Sequence, residues 1–385
     1  MALLRRAGAL LLIALAAFPA GARASPAFDL AVDPRFELLG VVRQLAGLGQ
    51  TDPRAGEYRE RVEKRFAAFR GHPAVALYKD LASRADSEEA AATILIYYSN
   101  PPELALKDAD ADVHYVNGPG EAEAMQRFLS ELREFARASD FASFYRDNGE
   151  FYAEVAASAR EALGGVDPVA AIERYLGVSL ASRSHYILPP LNRETRAFIV
   201  PYPLPPANAG AESFDVYSVA PDLLSRGFSN VVWHEPLFVF IDPSFYYFEK
   251  LNIPVPAEFY GAEVAACRAV SPDCVKNFAV AAIIEHLNRG AKGPSVAGEV
   301  FGAAPTLESR LVNALSDRLD EYDAHRDRYP TLWSFYPRWV AVFEEAAFPG
   351  RAPRKLSVPA APKIESAADF FKPAVSAALL GAGAR

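Results

Sequence analysis

The chain has 385 residues, of which 51% are hydrophobic and 23% are charged, and its formal net charge at pH 7 is −8. This composition is ordinary for a globular protein, and the acidic balance excludes the basic footprint of a nucleic-acid-binding protein. The length predicts one large domain or two to three small ones, with ample sequence for a substantial core.

Residues 1–24 have the pattern of a cleaved secretory signal peptide. Arg5 and Arg6 form a positive start, an apolar run follows over residues 7–18, and small residues precede a cleavage point before Ser25. An N-terminal membrane anchor is the alternative, but the apolar run is too short to span a bilayer comfortably. We therefore expect an exported protein, periplasmic or extracellular, that does not associate with a membrane after signal cleavage.

Residues 25–180 are predicted to form a helical N-terminal region, because apolar residues recur there at helical spacing. Proline, glycine and asparagine mark the helix ends, and Ser87, Asp140 and Asp167 are candidate N-caps. Asp140 is predicted to start one long helix that ends at Gly164. The predicted helices cover residues 36–45, 57–69, 73–81, 87–98, 121–138 and 140–164, with one more starting at 167.

Between residues 183 and 220 the pattern changes to short β-branched or aromatic runs. Three runs, Ser184–Leu188, Arg196–Pro201 and Ser213–Val219, predict a small antiparallel sheet. The fold class is therefore predicted to be α+β, with a helix-rich N-terminal half, a small antiparallel sheet and a helical C-terminal part. Helical patterns return near residues 229–242, 274–288, 306–322 and 333–346, before a Pro- and Ala-rich tail over 349–385.

Cys267 and Cys274 are the only cysteines of the chain. Export to an oxidising compartment predicts a disulfide between them, and closing so short a loop stabilises a fold by about 2.5 kcal/mol in the chain-entropy description. Two free buried thiols are the alternative. Two cysteines alone cannot form a structural zinc site.

Most other patterns that could carry chemistry are weak. The chain has no G-x-S-x-G elbow, no phosphate-binding G-x-x-x-x-G-K-[ST] loop and no G-x-G-x-x-G turn. The acidic run at residues 107–112 fails as a calcium loop, because in a loop that starts at Asp108 the sixth position is Val113 instead of glycine. His72, before Pro73, is predicted to be a turn or packing residue, and three histidines that lack metal-ligand spacing are predicted to be structural: His114, His185 and His325.

The pair His234-Glu235 begins like the zinc-binding helix of a metallopeptidase. In an H-E-x-x-H helix the two histidines are four residues apart, so they share one face and bind one metal ion. Here the second position is Phe238, which cannot donate to a metal. Pro236 argues against a regular helix interior, and the aromatic and β-branched neighbours would equally suit a buried strand.

Several segments together resemble a bacterial family of exported domains of unknown function, the DUF forty-nine thirty-two group, whose members are similar to gluzincin-type metallopeptidases. The resemblance covers residues 33–345, and with it residues 181–348 would be a zincin-like region that holds the sheet and the His-Glu helix. The matching segments are Asp33-Pro34-Arg35-Phe36-Glu37-Leu38-Leu39, His72-Pro73-Ala74-Val75, Tyr186-Ile187-Leu188-Pro189-Pro190-Leu191, residues 234–243, and Arg326-Asp327-Arg328-Tyr329-Pro330-Thr331-Leu332-Trp333-Ser334-Phe335-Tyr336-Pro337.

The resemblance implies a ligand set that this chain has partly lost. The family helix reads H-E-F-x-H-S-F-x-N-P, so His234 matches the first zinc ligand and Glu235 matches the general base. The second ligand position holds Phe238, and aligning a later helix on Ala282-Ile283 places Asn277 where the family has an acidic third ligand. Catalytic zinc generally needs three protein ligands and a water, so the expected site is degenerate.

Three functional hypotheses follow. The first is an exported, metallopeptidase-like protein that is catalytically inactive, holds no cofactor and binds a peptide or protein partner. The second is an active zinc-dependent peptidase with relocated ligands, in which Glu285 and His286 join His234 while Glu235 acts as the base. Because Glu285 and His286 are adjacent and point about 100° apart on a helix, only one of them easily faces His234. The third is a structural periplasmic protein. The oligomeric state stays open.

Overall fold

A computed structural model describes residues 28–49, 56–84, 87–107, 119–163, 166–179, 181–192, 195–202, 213–220, 233–241, 274–290 and 307–347. These residues fall into two compact units. The first unit combines Ala27–Gly165 with Ser182–Phe228, and the second combines Val166–Ala181 with Ser229–Ala377. The predicted signal peptide, Cys267 with its predicted disulfide, and the tail at 349–385 lie outside the described residues, so those predictions stay open.

The first unit contains seven described helices and most of one sheet. Its helices are α1 (Pro34–Leu45), α2 (Gly56–Phe66), α3 (Pro73–Ala82), α4 (Ser87–Ile94), α5 (Pro119–Ala138), α6 (Phe141–Asp147) and α7 (Gly149–Leu163). Single 3₁₀ turns, Ala67–Phe69 and Leu95–Tyr97, extend α2 and α4. The strands are β1 (Phe28–Ala31), β2 (Ala181–Ile187), β3 (Arg196–Tyr202) and β4 (Ser213–Val219).

Two helices of this unit begin by the same local mechanism. Before α1, the Asp33 side chain accepts a hydrogen bond from the backbone N–H of Arg35 at 2.9 Å, and Pro34 takes the first helical position. Before α3, His72 Nδ1 accepts from the backbone N–H of Ala74 at 3.2 Å, and Pro73 follows it. Each side chain satisfies one of the N–H groups that a helix start leaves without a partner. The predicted structural role of His72 is confirmed.

The α+β class is confirmed, but the predicted antiparallel sheet is wrong in one respect. The strand order is β1-β2-β4-β3, β3 pairs antiparallel with β4, and β1 pairs parallel with β2. The sheet is therefore mixed. In the parallel pair Leu30 lies opposite Tyr186, about 150 residues later in the chain. A strand of only four residues with so distant a partner has too short a pattern to be recognised in the sequence.

The predicted long helix from 140 to 164 is also corrected, because it divides into α6 and α7 at Asn148. The Asn148 side chain donates to the carbonyl of Phe144 at 2.8 Å, and its backbone N–H bonds back to Phe144 and Tyr145. These bonds close the last turn of α6. Asp140 precedes α6 in a left-handed conformation with φ 51° and makes no capping hydrogen bond with its side chain.

The second unit is helical in its described part. It contains α8 (Pro168–Leu176), α9 (residues 233–241), α10 (Cys274–Gly290), α11 (Leu307–Ala324) and α12 (Leu332–Ala347). The predicted cap of α8 is confirmed, since Asp167 accepts from the backbone N–H of Val169 at 3.0 Å. Trp339 of α12 is fully buried and donates its indole N–H to the carbonyl of Leu315 in α11 at 3.0 Å. This contact joins α11 and α12.

In the part of the chain that the structure describes, no helix is long and apolar enough to cross a membrane.

Candidate functional site

Residues 233–241 form a helix despite Pro236. The proline is the fourth residue of the described part of this helix, and its ring has no N–H to donate. Leu237 and Phe240 are buried with Trp233, whereas His234 is only half-buried. The apolar face of α9 thus packs inward and leaves His234 accessible from solvent.

Within α9, the imidazole of His234 is engaged by its own neighbours. Its Nδ1 lies 3.0 Å from Oε1 of Glu235. Its ring lies 6.3 Å from the ring of Phe238, with 24° between the planes. The side chains of His234 and Glu235 are 36% and 28% exposed. The predicted first ligand and the predicted base therefore form a pair, and an aromatic ring occupies the next turn.

The beginning of α10 lies beside Phe238. The ammonium of Lys276 is 5.8 Å from the centroid of the Phe238 ring, a cation–π contact. Asn277, the expected third ligand position, follows Lys276 and is exposed. A cation thus lies beside Phe238, one of the two positions at which the resemblance implies a lost ligand, and the other position, Asn277, is the next residue of α10.

Farther along α10, His286 is bound to α11. Its Nε2 lies 2.7 Å from Oδ2 of Asp323, and its Nδ1 lies 3.2 Å from the carbonyl oxygen of Ser316. Its ring also packs 5.9 Å from the ring of Tyr175 in α8. Both ring nitrogens thus face oxygen atoms of α11.

The contacts that the structure gives for His286 lead to α8 and α11 and not to α9. Glu285 is buried, with 7% of its surface exposed. A rescue of the zinc site by His286 would have to break its bonds to Asp323 and Ser316.

The described side chains beside His234 do not fit a catalytic zinc ion. Among the described residues, no three His, Cys, Asp or Glu side chains stand close enough to hold one metal together. More directly, the ring of Phe238 at the second ligand position has no lone pair to offer. The ammonium of Lys276 nearby would repel a divalent cation. We therefore derive no hydrolytic step through zinc at α9.

One polar cluster was missed by the sequence analysis, which treated His185 as an isolated structural residue. His185 Nε2 lies 3.5 Å from Oδ2 of the buried Asp215, and Nδ1 lies 3.9 Å from Oδ2 of Asp29. The ring of Tyr217 stacks on the imidazole at 4.3 Å. The available signal was the period of two, which places Asp215 and Tyr217 on the same face of β4. The contacts of His185 in β2 with these two residues in β4 depend on the tertiary fold.

No protein-family model, no curated protein and no solved structure matches this chain. Similarity of this chain to gluzincin-like domains is therefore a proposal.

Proposed function

We propose that this chain is an exported, metallopeptidase-like protein that has lost its zinc site and acts by binding a peptide or protein partner. The observation that carries the proposal is the arrangement on α9. His234 is paired with Glu235 at 3.0 Å, and Phe238 stands at the position where the second histidine of a working site would be. Two residues of the motif are present, and the side chain at the second ligand position cannot bind zinc, which supports the proposal.

The chemistry of the remaining side chains supports binding more than hydrolysis. A metallopeptidase uses zinc to lower the pKa of a bound water and to polarise the scissile carbonyl, while a glutamate takes the proton. Without a metal-bound water, Glu235 has no activated nucleophile to deprotonate. The half-buried ring of Phe238 offers apolar contact, and Lys276, Glu235 and the exposed Asn277 offer charge and hydrogen bonds. Such a mixture of an aromatic residue and polar neighbours suits peptide recognition.

Export is part of the proposal and rests on the N-terminal pattern. Arg5 and Arg6, the apolar run at 7–18 and the small residues before Ser25 support a cleaved signal peptide. Cleavage would leave the two units as the secreted protein. A chain that works outside the cytoplasm has access to peptides and to other exported proteins as partners.

A peptide library tests binding and cleavage together. The mature chain should bind a subset of immobilised peptides and leave them intact. Phe238→Ala should weaken that binding about tenfold or more, as loss of a central aromatic anchor commonly does. Leu48→Ala is the matched control, because Leu48 is an exposed apolar residue of the other unit, at 40% exposure. Cleavage that a chelator stops and that Glu235→Gln abolishes would overturn the proposal in favour of an active peptidase.

A further inference from the structure

Glu37, in the first turn of α1, is completely buried. Its Oε1 accepts a hydrogen bond from the hydroxyl of Tyr58 at 2.5 Å. Its Oε2 is buried and has no hydrogen-bond partner among the described residues. An ionised carboxylate needs several donors or a cation to compensate for its lost hydration, and one phenol does not supply them.

A chain of tyrosines leads from this carboxyl into two other helices. The hydroxyl of Tyr152 in α7 is 2.7 Å from that of Tyr58 in α2. Because the Tyr58 hydroxyl donates its hydrogen bond to Glu37, the Tyr152 hydroxyl is the donor to Tyr58. The ring of Tyr145 in α6 lies 4.7 Å from that of Tyr152, and its hydroxyl donates to the carbonyl of Val32. Helices α1, α2 and α7 therefore meet at one buried hydrogen-bonded chain, and Tyr145 of α6 packs its ring against Tyr152.

The arginines of α1 and α2 beside Glu37, Tyr58 and Tyr152 bind other partners. From α2, Arg61 donates to Asn148 at 3.0 Å, and its guanidinium lies 5.4 Å from the Tyr58 ring centroid. From α1, Arg35 pairs with Asp33 at 2.6 Å. Among the described residues, no cation forms an ion pair with Glu37.

Burial is the main reason that the pKa of Glu37 rises to about 7, against a smaller lowering by the hydrogen bond from Tyr58. Burial likewise raises the pKa of Tyr58, so its hydroxyl stays protonated. Burial also raises the pKa of Tyr152. Among Glu37, Tyr58 and Tyr152, Glu37 is thus the group whose charge changes near neutral pH.

We propose that Glu37 is a buried proton-binding site that makes the packing of α1 against α2 and α7 sensitive to pH. The neutral carboxyl keeps the junction closed, and its ionisation opens it. This inference concerns the first unit and does not depend on the proposed function of α9.

The direction follows from linkage. The folded state holds the proton more tightly than an opened state, in which a glutamate has its ordinary pKa of about 4.5. The proton on Glu37 therefore stabilises the closed junction at low pH, and this stabilisation is lost as pH rises through about 7. With these two values the equilibrium constant for opening increases about tenfold between about pH 6 and pH 8.

Hydrogen exchange on the mature chain measures this opening, once rates are corrected for intrinsic base catalysis. Amides of α2 and α7 should lose protection about tenfold between pH 6 and pH 8. Glu37→Gln should remove that difference. Glu60→Gln, an exposed residue on α2, should leave it unchanged. Tyr58→Phe should move the transition to higher pH, because the lost hydrogen bond favours the ionised form.

The carboxyl carbon of Glu37 gives a second readout in the unaltered chain by NMR, which keeps the test valid if Glu37→Gln fails to fold. The chemical shift of this carbon should change with a midpoint near neutral pH, well above that of an ordinary glutamate. A titration near pH 4.5, or a tenfold loss of protection that persists in Glu37→Gln, would overturn the proposal.

Discussion

The imidazole of His234 lies against the ring of Phe238, one helical turn later, with 6.3 Å between the ring centroids. Residues four apart on a helix share a face, so Phe238 stands where a second histidine could contact the same metal ion. The ammonium of Lys276 in α10 lies 5.8 Å from the centroid of the same ring. The proposed loss of zinc binding therefore depends on the side chains at the ligand positions, and substitutions at these positions should restore zinc binding.

The double variant Phe238→His with Asn277→Glu is expected to bind zinc. It restores an imidazole at the i+4 position and an acidic group at the start of α10, which completes three protein ligands. Zinc affinity measured by calorimetry should exceed that of the unaltered chain by about 100-fold or more, since one remaining imidazole binds zinc weakly. Adding His234→Ala to the double variant should abolish the gain. If the double variant binds no better, Asn277 is not the third ligand position.

Arg35→Met should destabilise the first unit by about 3–5 kcal/mol, the usual cost of breaking a buried ion pair from one side. The Arg35 guanidinium pairs with Asp33 at 2.6 Å and donates to the carbonyls of Leu95, Ile96 and Tyr98. These bonds hold the segment after α4 against α1. Urea unfolding of the mature chain measures the loss.

Arg70→Met is the matched control for that loss of charge. Arg70 pairs with Glu63 near the surface, and such pairs contribute about 0–1 kcal/mol. A cost for Arg35→Met no larger than that for Arg70→Met would show that the carbonyl contacts do not stabilise the unit.

Gly177→Ala should cost several kcal/mol, well above the cost of Gly47→Ala. Both glycines have left-handed backbones, with φ 74° and φ 77°. A Cβ at Gly177 would lie 2.1 Å from the carbonyl oxygen of Pro330, whereas one at Gly47 would meet nothing within 4 Å. Gly47→Ala thus reports the backbone strain alone, about 1–2 kcal/mol. If both variants lower the free energy of unfolding in urea equally, the backbone at Pro330 shifts away from the new Cβ without cost.

Expression of the full chain in a bacterium with a general secretory pathway should give a mature protein that starts near Ser25. The charged start and short apolar run of residues 1–24 are expected to direct export and cleavage. N-terminal sequencing of the exported fraction measures the start. Retention of residues 1–24 in a membrane fraction would support the anchor that the sequence analysis set aside.

The helices and three of the four described strands could be predicted because each carries its own period and its own end signals. Asp33-Pro34, His72-Pro73 and Asp167-Pro168 mark helix starts by a cap followed by proline, and the structure forms all three. The division of the helix after Asp140 also had a signal, since Asn148-Gly149 is a common turn dipeptide. The apolar period continues across this dipeptide, and that period alone predicts one helix instead of two.

What could not be predicted depends on contacts between distant parts of the chain. Nothing local to Glu37 shows that Tyr58 and Tyr152 will enclose it, because the helix period places it only as an acidic residue in a first turn. In the same way, His185 and Asp215 come together only when β2 and β4 become neighbours. The absence of a second imidazole after His234 was visible in the sequence, but the ammonium of Lys276 beside Phe238 was not.

The zinc content of the mature chain tests the central claim most directly. The protein should be purified without chelators, equilibrated with a slight excess of zinc, freed of unbound metal and analysed by mass spectrometry for bound metal. The account predicts far less than one zinc ion per chain, and about one ion in Phe238→His with Asn277→Glu. One tightly bound zinc ion in the unaltered chain that disappears in His234→Ala would contradict it.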